Sequence, residues 1–133
     1  MILVDTNVLV ALVDERDRLH ANAKRDLRKL KRGPLVVTWS VLAETLFLLE
    51  RPFERRRLRF LLDALDVGAA PAAERSAVFD WMEKYEAHQP DLADAELVSL
   101  ARARGVRVWT YDREFATVWR RADGTKVPLA GSR

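Results

Sequence analysis

Short apolar runs alternate along this chain with longer segments in which apolar residues recur at helical spacing. The apolar runs, bounded by charged or turn-forming residues, predict β-strands. The predicted strands are residues 2–4, 35–37, 67–70, 106–111 and 126–129. The fourth of these runs has the strongest pattern and the third has the weakest. The last contains a proline, which edge strands tolerate.

Helical patterns fill the segments between the predicted strands. Apolar residues repeat at helical spacing over residues 19–30, and Gly33-Pro34 ends that helix. Further helices are predicted over residues 41–49, 54–65, 74–87 and 91–104. Strands that alternate with helices favour a parallel sheet covered on both faces. Ligands of such sheets bind beyond the carboxyl ends of the strands, which is where we look for chemistry.

The composition is that of one globular domain. No linker, repeat or change of composition divides residues 1–133, and hydrophobic residues make up 49% and charged residues 32%. The first strand meets Asp5 at once, and no apolar run approaches the ~18–20 residues that cross a bilayer. We therefore expect no secretory leader and no membrane association. The chain has no cysteine, which excludes disulfides and thiolate zinc sites and fits a cytoplasmic location.

Acidic residues directly follow two of the predicted strands. Asp5 follows the first strand, and Asp112 follows the strand at 106–111. If both strands are central and parallel, the two carboxylates project from the same edge of the sheet. Helix capping is the alternative, since Asp, Thr and Asn cap helix N-termini and Asn7 precedes a helical stretch at 8–13.

Further acidic residues lie at helical positions. Asp91 and Asp94 open a predicted helix in the arrangement of a capping box, although Glu or Gln is usual at the second position. A helix start also favours anions. Glu44 lies in an apolar helix that we expect to be buried, where a carboxylate requires a partner, either an arginine or a metal ion.

These carboxylates can converge on one spot and share a cation. Clustered carboxylates repel one another and take up protons unless a cation is present. Oxygen ligands in a chain without cysteine and with only two histidines favour Mg²⁺ or Mn²⁺ over zinc. This donor set predicts metal-assisted hydrolysis of a phosphodiester or phosphate ester.

The segments that carry these acids resemble the PIN-domain ribonucleases, and among them the VapC-type toxins of toxin–antitoxin pairs. The matching segments are Val4-Asp5-Thr6-Asn7-Val8-Leu9, Glu44 in its apolar helix, Asp91-Leu92-Ala93-Asp94-Ala95 and Thr110-Tyr111-Asp112-Arg113-Glu114-Phe115. No segment alone is specific to this family, but the order and spacing of the four segments in a chain of this length are specific to it. The resemblance runs from Met1 to about Leu129.

The resemblance implies a fold, an activity and a set of site residues. It implies a three-layer α/β/α sandwich with a central five-stranded parallel sheet, and endoribonuclease activity that depends on Mg²⁺ or Mn²⁺. The catalytic, metal-holding residues that it implies are Asp5, Glu44, Asp94 and Asp112. The site-lining residues are Thr6, Asn7, Asp91, Thr110 and Glu114. Many relatives have aspartate in place of Glu114, and capping explains Asp91 without a metal.

The same resemblance implies partners. They are an RNA substrate, a cognate antitoxin whose tail blocks the site, and a second copy of the chain. The formal net charge of +3 is a mild preference for a polyanion. Arg113, Arg120 and Arg121 follow the fourth acidic residue, and we expect them to contact RNA phosphates.

The apolar residues between 42 and 62 are more numerous than one small core needs. The surplus either packs against the sheet or forms a surface for a partner. The four tryptophans are expected in the core.

Other classes of protein fit the sequence less well. A haloacid-dehalogenase-type phosphatase needs a second aspartate two residues after the first, where this chain has Asn7. A receiver domain needs an acid at the end of the third strand, and residues 67–70 lack one. Dinucleotide binding lacks its glycine motif. A stand-alone PIN nuclease of RNA processing, and a PIN-like module that binds without cutting, stay open.

Overall fold

The predicted parallel sheet is confirmed in the computed structural model, which describes residues 1–132. The strands are β1 (Ile2–Val4), β2 (Leu35–Val37), β3 (Gly68–Ala69), β4 (Arg107–Trp109) and β5 (Leu129–Ala130). Across the described residues they form one five-stranded sheet in the order β3-β2-β1-β4-β5, and every pairing is parallel. β1 is therefore central, β4 is internal, and β5 is the predicted edge strand.

Helices cover both faces of this sheet. Over residues 1–132 the helices are α1 (Thr6–Val13), α2 (His20–Leu30), α3 (Trp39–Leu48), α4 (Pro52–Ala64), α5 (Arg75–Lys84), α6 (Leu92–Leu100) and α7 (Glu114–Thr117). Successive side chains of a strand point to opposite faces. All of β1 is buried, so helices pack on both sides of the central strand and the architecture is the three-layer α/β/α sandwich. No helix within the described residues has the length and apolar composition needed to cross a bilayer.

Several predicted helix boundaries are wrong by a few residues. α3 begins at Trp39, earlier than predicted, because the Thr38 side chain caps it by accepting a hydrogen bond from Val41 N at 3.1 Å. α5 ends at Lys84, and a 3-10 turn over Glu86–His88 replaces its predicted last turn. α6 ends at Leu100 rather than at residue 104.

The last predicted strand is also displaced along the chain. β5 covers residues 129–130, whereas the apolar pattern predicted 126–129. Lys126 instead forms an isolated antiparallel bridge with Arg120, outside the sheet. The ladder to β4 begins where Val108 N donates to Pro128 O at 2.9 Å. Proline supplies only an acceptor there, which suits the start of an edge strand.

The register of β1 against β4 sets the position of the acidic residues. Val4 pairs with Trp109, so the two strands end at the same level. Asp5 N donates to Trp109 O at 3.0 Å, which extends the pairing by one residue. Asp5 and Thr110 therefore leave the sheet side by side at its carboxyl edge.

The indole of Trp109 is fully buried and packs against the backbone of Gly131. Gly131 has φ of +88°, and a Cβ there would lie 2.7 Å from Trp109 Cδ1. Both the left-handed backbone and the close approach require glycine at this position.

We expect Gly131→Ala to lower the free energy of unfolding by about 2–5 kcal/mol, because left-handed strain of about 1–2 kcal/mol adds to overpacking of about 1–3 kcal/mol. Gly124→Ala is the matched control. Gly124 has φ of +82° and nothing within 4 Å of the Cβ position, so it tests the backbone strain alone. Urea denaturation measures both values. Equal losses in the two variants would contradict a role for the Trp109 contact.

Candidate active site

Asp5 is the most buried acidic side chain at the carboxyl edge of the sheet, in a residue that is 4% exposed. Its Oδ1 accepts a hydrogen bond from Thr6 N at 2.7 Å. Its Oδ2 accepts from Thr110 Oγ1 at 2.7 Å and from Asn7 Nδ2 at 3.2 Å. Burial raises the pKa of Asp5 to about 6, although the hydrogen bond from Thr110 opposes the shift. These bonds fix the orientation of the carboxylate.

Asn7 and Thr110 connect the ends of β1 and β4. Asn7 Nδ2 donates to Thr110 Oγ1 at 3.2 Å, and Asn7 Oδ1 accepts from Tyr111 N at 3.0 Å. Thr110 Oγ1 also accepts from Asp112 N at 3.0 Å. Asn7 is not the N-cap of α1 that its position favoured. Asp5 occupies the cap, and the Asn7 amide is free to join the two strand ends.

Glu44 lies on α3, and the expectation that this helix is buried is wrong. Phe47 is 78% exposed and Leu48 is 53% exposed, because only one side of α3 packs on the protein. Glu44 is half-buried, and its Oε2 accepts a hydrogen bond from Thr6 Oγ1 at 3.0 Å. Burial first, and then the charge of Asp91, raises the pKa of Glu44. No lysine or arginine in residues 1–132 forms an ion pair with it.

Asp91 and Asp94 form the capping box that the sequence favoured. Asp94 N donates to Asp91 Oδ1 at 2.8 Å, and Asp91 N donates to Asp94 Oδ2 at 3.4 Å. Burial raises the pKa of Asp94 to about 8, and the charges of Asp91, Asp5 and Asp112 add to this shift. Asp94 therefore lies within electrostatic reach of the acids at the ends of β1 and β4.

Asp112 lies just beyond β4, in the turn that leads into α7, and Glu114 is the first residue of that helix. Glu114 N donates to Asp112 Oδ1 at 2.9 Å, and both side chains are half-buried. The Asp112 charge also raises the pKa of Asp5. The ends of both strands thus contribute carboxylates to the same small volume.

One cleft of about 420 Å³ collects all of the predicted acids. The carboxylates that line it within the described residues are Asp5, Asp17, Glu44, Asp91, Asp94, Asp112 and Glu114. Thr6 and Asn7 line the same cleft, and Thr110 lies beneath it, bonded to Asp5. No lysine or arginine of residues 1–132 lines it. The cleft is strongly anionic although the chain as a whole is cationic.

Asp17 and Gln89 also line the cleft and were not among the predicted site residues. Asp17 stands in the loop before α2, where its Oδ1 accepts from Leu19 N at 2.8 Å. Asp17 lies three residues before the first residue of α2, and aspartate is typical of such turns, so the sequence gives no separate signal for it. Gln89 has φ of +49°, a left-handed conformation that follows the 3-10 turn and is not predictable for glutamine.

The donor set of the cleft fits a hard divalent cation. Its side chains offer carboxylate, amide and hydroxyl oxygens, which are the ligands of Mg²⁺ and Mn²⁺. Burial first, and then the charges of neighbouring carboxylates, raise the pKa values of Asp5, Glu44 and Asp94, and a bound cation would oppose these shifts. As they stand in residues 1–132, no three acidic or histidine side chains form a ready-made metal cage. A cation would draw the carboxylates together against their mutual repulsion.

The three arginines expected to contact RNA have different surroundings. Arg120 donates to the carbonyls of Ala116 and Trp119, and Arg121 donates to Ala101 O at 3.2 Å. Ala101 is the C-cap of α6, whereas Asp94 is in its first turn, so the structure does not bring Arg121 to the cleft. Arg113 is exposed and directly follows Asp112.

Fold and site together define a class: a small parallel α/β/α domain with an anionic cleft at the carboxyl edge of its central strands. The model of the PIN domain family matches residues 2–120, which is most of the chain. This chain belongs to the PIN domain family. No curated protein sequence matches it.

Solved structures share the fold of this chain. VapC20 from Mycobacterium tuberculosis, described as a toxin that cleaves the sarcin–ricin loop, superposes with a TM-score of 0.68 and 24% identity. The match covers 88% of this chain and 94% of that one. VapBC2 from Rickettsia felis, bound to a DNA fragment from its promoter, superposes with a TM-score of 0.69 and 16% identity. That match covers 98% of this chain and 99% of the other.

Asp94→Asn should stabilise the metal-free protein at alkaline pH. The pKa of Asp94 is raised from 3.8 to about 8, so between these values the folded state binds more protons than the unfolded state. The stabilisation of the folded state by proton binding to Asp94 is complete below pH 4 and is lost as the pH rises through 8. At pH 8.5 with EDTA we expect a Tm about 4 °C higher for Asp94→Asn, the shift that ~1 kcal/mol gives in a small domain.

The same variant should respond less to metal and to pH than the wild type. Excess Mg²⁺ or Mn²⁺ should raise the Tm of the wild type, because a cation that binds the folded state stabilises that state. The rise should be much smaller for Asp94→Asn, which lacks one of the carboxylates. Glu83→Gln is the control, since Glu83 is exposed and outside the cleft. Identical pH and metal dependence in wild type and Asp94→Asn would contradict the assignment of Asp94 to a cation site.

Proposed function

We propose that this chain is an endoribonuclease that hydrolyses RNA phosphodiester bonds with Mg²⁺ or Mn²⁺, and that it is the toxin of a toxin–antitoxin pair. One observation carries the proposal: within the described residues, the cleft has seven carboxylates and no cationic side chain. Such a cleft repels a phosphate unless a cation is bound. A divalent cation makes the same cleft attractive to a phosphodiester.

Asp5, Asp94 and Asp112 would hold the ion, and Glu44 would complete the set directly or through water. When bound, the ion would supply charge that neutralises the reacting phosphoryl group and lowers the pKa of a water molecule. Asp91 is better assigned to capping, because its Oδ1 accepts from Asp94 N at 2.8 Å. Glu114 lines the cleft without a partner that fixes its role.

Polar neighbours of the carboxylates keep the site ordered before any ligand arrives. Thr110 and Asn7 fix Asp5 Oδ2, and Thr6 holds Asp5 with its backbone and Glu44 with its side chain. Such outer contacts orient metal ligands and tune their basicity. Because the strand ends and α1 supply these contacts, the site rests on rigid elements rather than on mobile loops.

RNA is the proposed substrate for two reasons. The chain carries a formal net charge of +3 although its cleft is acidic, so cations elsewhere on the surface can hold a polyanion. The fold is shared with VapC20, a toxin described by its cleavage of the sarcin–ricin loop, an RNA segment. We place this activity in the cytoplasm, where RNA substrates are found.

An apolar groove continues from the acidic cleft and supports the proposed antitoxin. The groove, of about 500 Å³, is lined by Phe47, Leu48 and Leu92 and shares Glu44 and Asp91 with the cleft. A partner segment lying in this groove would cover the mouth of the cleft. The similar VapBC2 structure, bound to promoter DNA, supports a toxin–antitoxin assignment.

Cleavage of RNA by the purified chain tests the proposal. With Mg²⁺ or Mn²⁺ we expect discrete fragments of total RNA, and with EDTA we expect none. Asp5→Asn and Asp94→Asn should lose at least about 100-fold in rate, since loss of a ligand removes several kcal/mol of charge stabilisation and each 1.4 kcal/mol is about tenfold. Gel electrophoresis and mapping of the fragment ends measure the result.

Glu83→Gln controls for a general effect of removing negative charge and should cut RNA at the wild-type rate. Cleavage that survives EDTA, or persists in both aspartate variants, would contradict the proposed site. A folded wild-type chain that binds Mn²⁺ and leaves every RNA intact would favour a binding module instead.

A second copy of the chain is the other proposed partner, on the exposed aromatic side chains of α4. Phe60 is 74% exposed and Phe53 is 44% exposed, and large exposed aromatics mark interaction surfaces. We expect sedimentation equilibrium to give twice the chain mass of 15.3 kDa. Phe60→Ser should shift the population to monomer, and Phe79→Ser on α5, 57% exposed, should not. A monomeric wild type would contradict the homodimer.

A further inference from the structure

A second pocket adjoins the acidic cleft on the side of Asp112. It has a volume of about 360 Å³, and its lining includes Arg18, Asn22, Tyr111 and Arg113. Leu19 lines both the pocket and the cleft. Because Tyr111 and Arg113 flank Asp112 in the chain, the pocket opens directly beside a carboxylate of the site.

The charge of this pocket is opposite to that of the cleft. Arg18 and Arg113 line it, and none of its lining residues in the described chain is acidic. Both arginines are exposed, and within residues 1–132 neither forms an ion pair. A guanidinium can donate two parallel hydrogen bonds to a phosphate, so this pair offers a second phosphate position next to the cleft.

Other arginines of the chain are already engaged in its own structure. Arg55 donates to the carbonyls of Leu46 and Leu49 at the end of α3. Arg57 donates to Val13 O at 2.7 Å and lies 3.7 Å from Glu15. Arg55 and Arg57 therefore stabilise the fold, whereas no hydrogen bond or ion pair within residues 1–132 engages the side chains of Arg18 and Arg113.

Tyr111 gives the pocket a fixed aromatic surface. Its hydroxyl donates to Asp26 Oδ2 at 2.7 Å and accepts from Trp109 Nε1 at 3.1 Å. Asp26 is buried and Trp109 is fully buried, so the ring is anchored to the core. Tyr111 is half-buried and lines the pocket, and its hydroxyl is already engaged in these two hydrogen bonds. Aromatic rings of this kind stack on the bases of single-stranded RNA.

We propose that this pocket binds one nucleotide of the RNA strand next to the bond that is cut. Arg18 and Arg113 hold the phosphate of that nucleotide, and the Tyr111 ring stacks on its base. The inference rests on the proposed ribonuclease function and adds a subsite to it. An acidic peptide could also pair with the arginines, but the aromatic side chain of Tyr111 and the position of the pocket next to the cleft favour a nucleotide.

Binding of a fluorescent single-stranded RNA to the Asp94→Asn chain, in which the RNA survives, tests the arginines. In that background, Arg18→Ala with Arg113→Ala should weaken binding about tenfold. The slope of log K against log salt should fall by about 0.7 for each phosphate contact removed. Arg75→Ala with Arg104→Ala is the matched control, because it also removes two exposed arginines, both outside the pocket.

A pair of substitutions at Tyr111 tests stacking separately from structure. Tyr111→Phe and Tyr111→Leu both lose the hydrogen bond to Asp26, and only the first keeps an aromatic ring. We expect Tyr111→Phe to bind RNA about tenfold more tightly than Tyr111→Leu. Melting temperatures of both variants show whether they are equally folded, and the binding ratio is taken between the folded fractions.

These experiments distinguish failure of the pocket proposal from failure of the ribonuclease proposal. If the Arg18→Ala, Arg113→Ala double variant binds RNA with the affinity and salt slope of the Arg75→Ala, Arg104→Ala control, the pocket proposal is wrong even when the wild type cuts RNA. If the double variant loses RNA binding while the wild type cuts nothing, the pocket stands and the nuclease proposal fails. Tighter binding of a polyglutamate peptide than of RNA would also overturn the assignment of the pocket to a nucleotide. In active chains the double variant should raise KM and leave kcat within about threefold.

Discussion

The pairing of β1 with β4 is the constraint on which the rest of the site depends. Val4 lies opposite Trp109, and the strands end together, so Asp5 and Asp112 emerge at one edge. Asn7 and Thr110 lock that edge with hydrogen bonds across the two strands. A shift of one residue in this register would turn the side chains of one strand to the other face. The register of the sheet therefore fixes the positions of the site residues.

Burial and mutual repulsion of the carboxylates at this edge of the sheet oppose folding. Burial raises the pKa of Asp5 to about 6, and burial first, followed by the charges of nearby carboxylates, raises the pKa values of Asp94 and Glu44. The core beside these carboxylates includes Leu3, Val108 and Trp109, which are fully buried. Strain of this kind collects at functional sites, where the molecule gives up stability for chemistry. The charge is organised locally: anionic in the cleft, cationic immediately beside it.

Most of the sheet and the acidic residues of the cleft were predictable from local patterns. Apolar runs end at Asp5 and Asp112, and a parallel sheet brings such ends together. Burial of single helix positions was not predictable. Trp39 was expected in the core and is 75% exposed, because the side of α3 that packs is chosen by neighbouring helices. The surroundings of Arg120 and Arg121, and the approach of Asp17 to the cleft, likewise depend on contacts between distant segments.

The two hydrogen bonds of the capping box at the start of α6 are unequal. The bond that Asp91 accepts is 2.8 Å long, and the bond that Asp94 accepts is 3.4 Å long. The first turn of the helix is thus secured by Asp91, and Asp94 contributes little to it. The Asp94 oxygen can leave its backbone partner for a ligand without loosening the helix. A ligand could then enter or leave the cleft while the first turn of α6 stays intact.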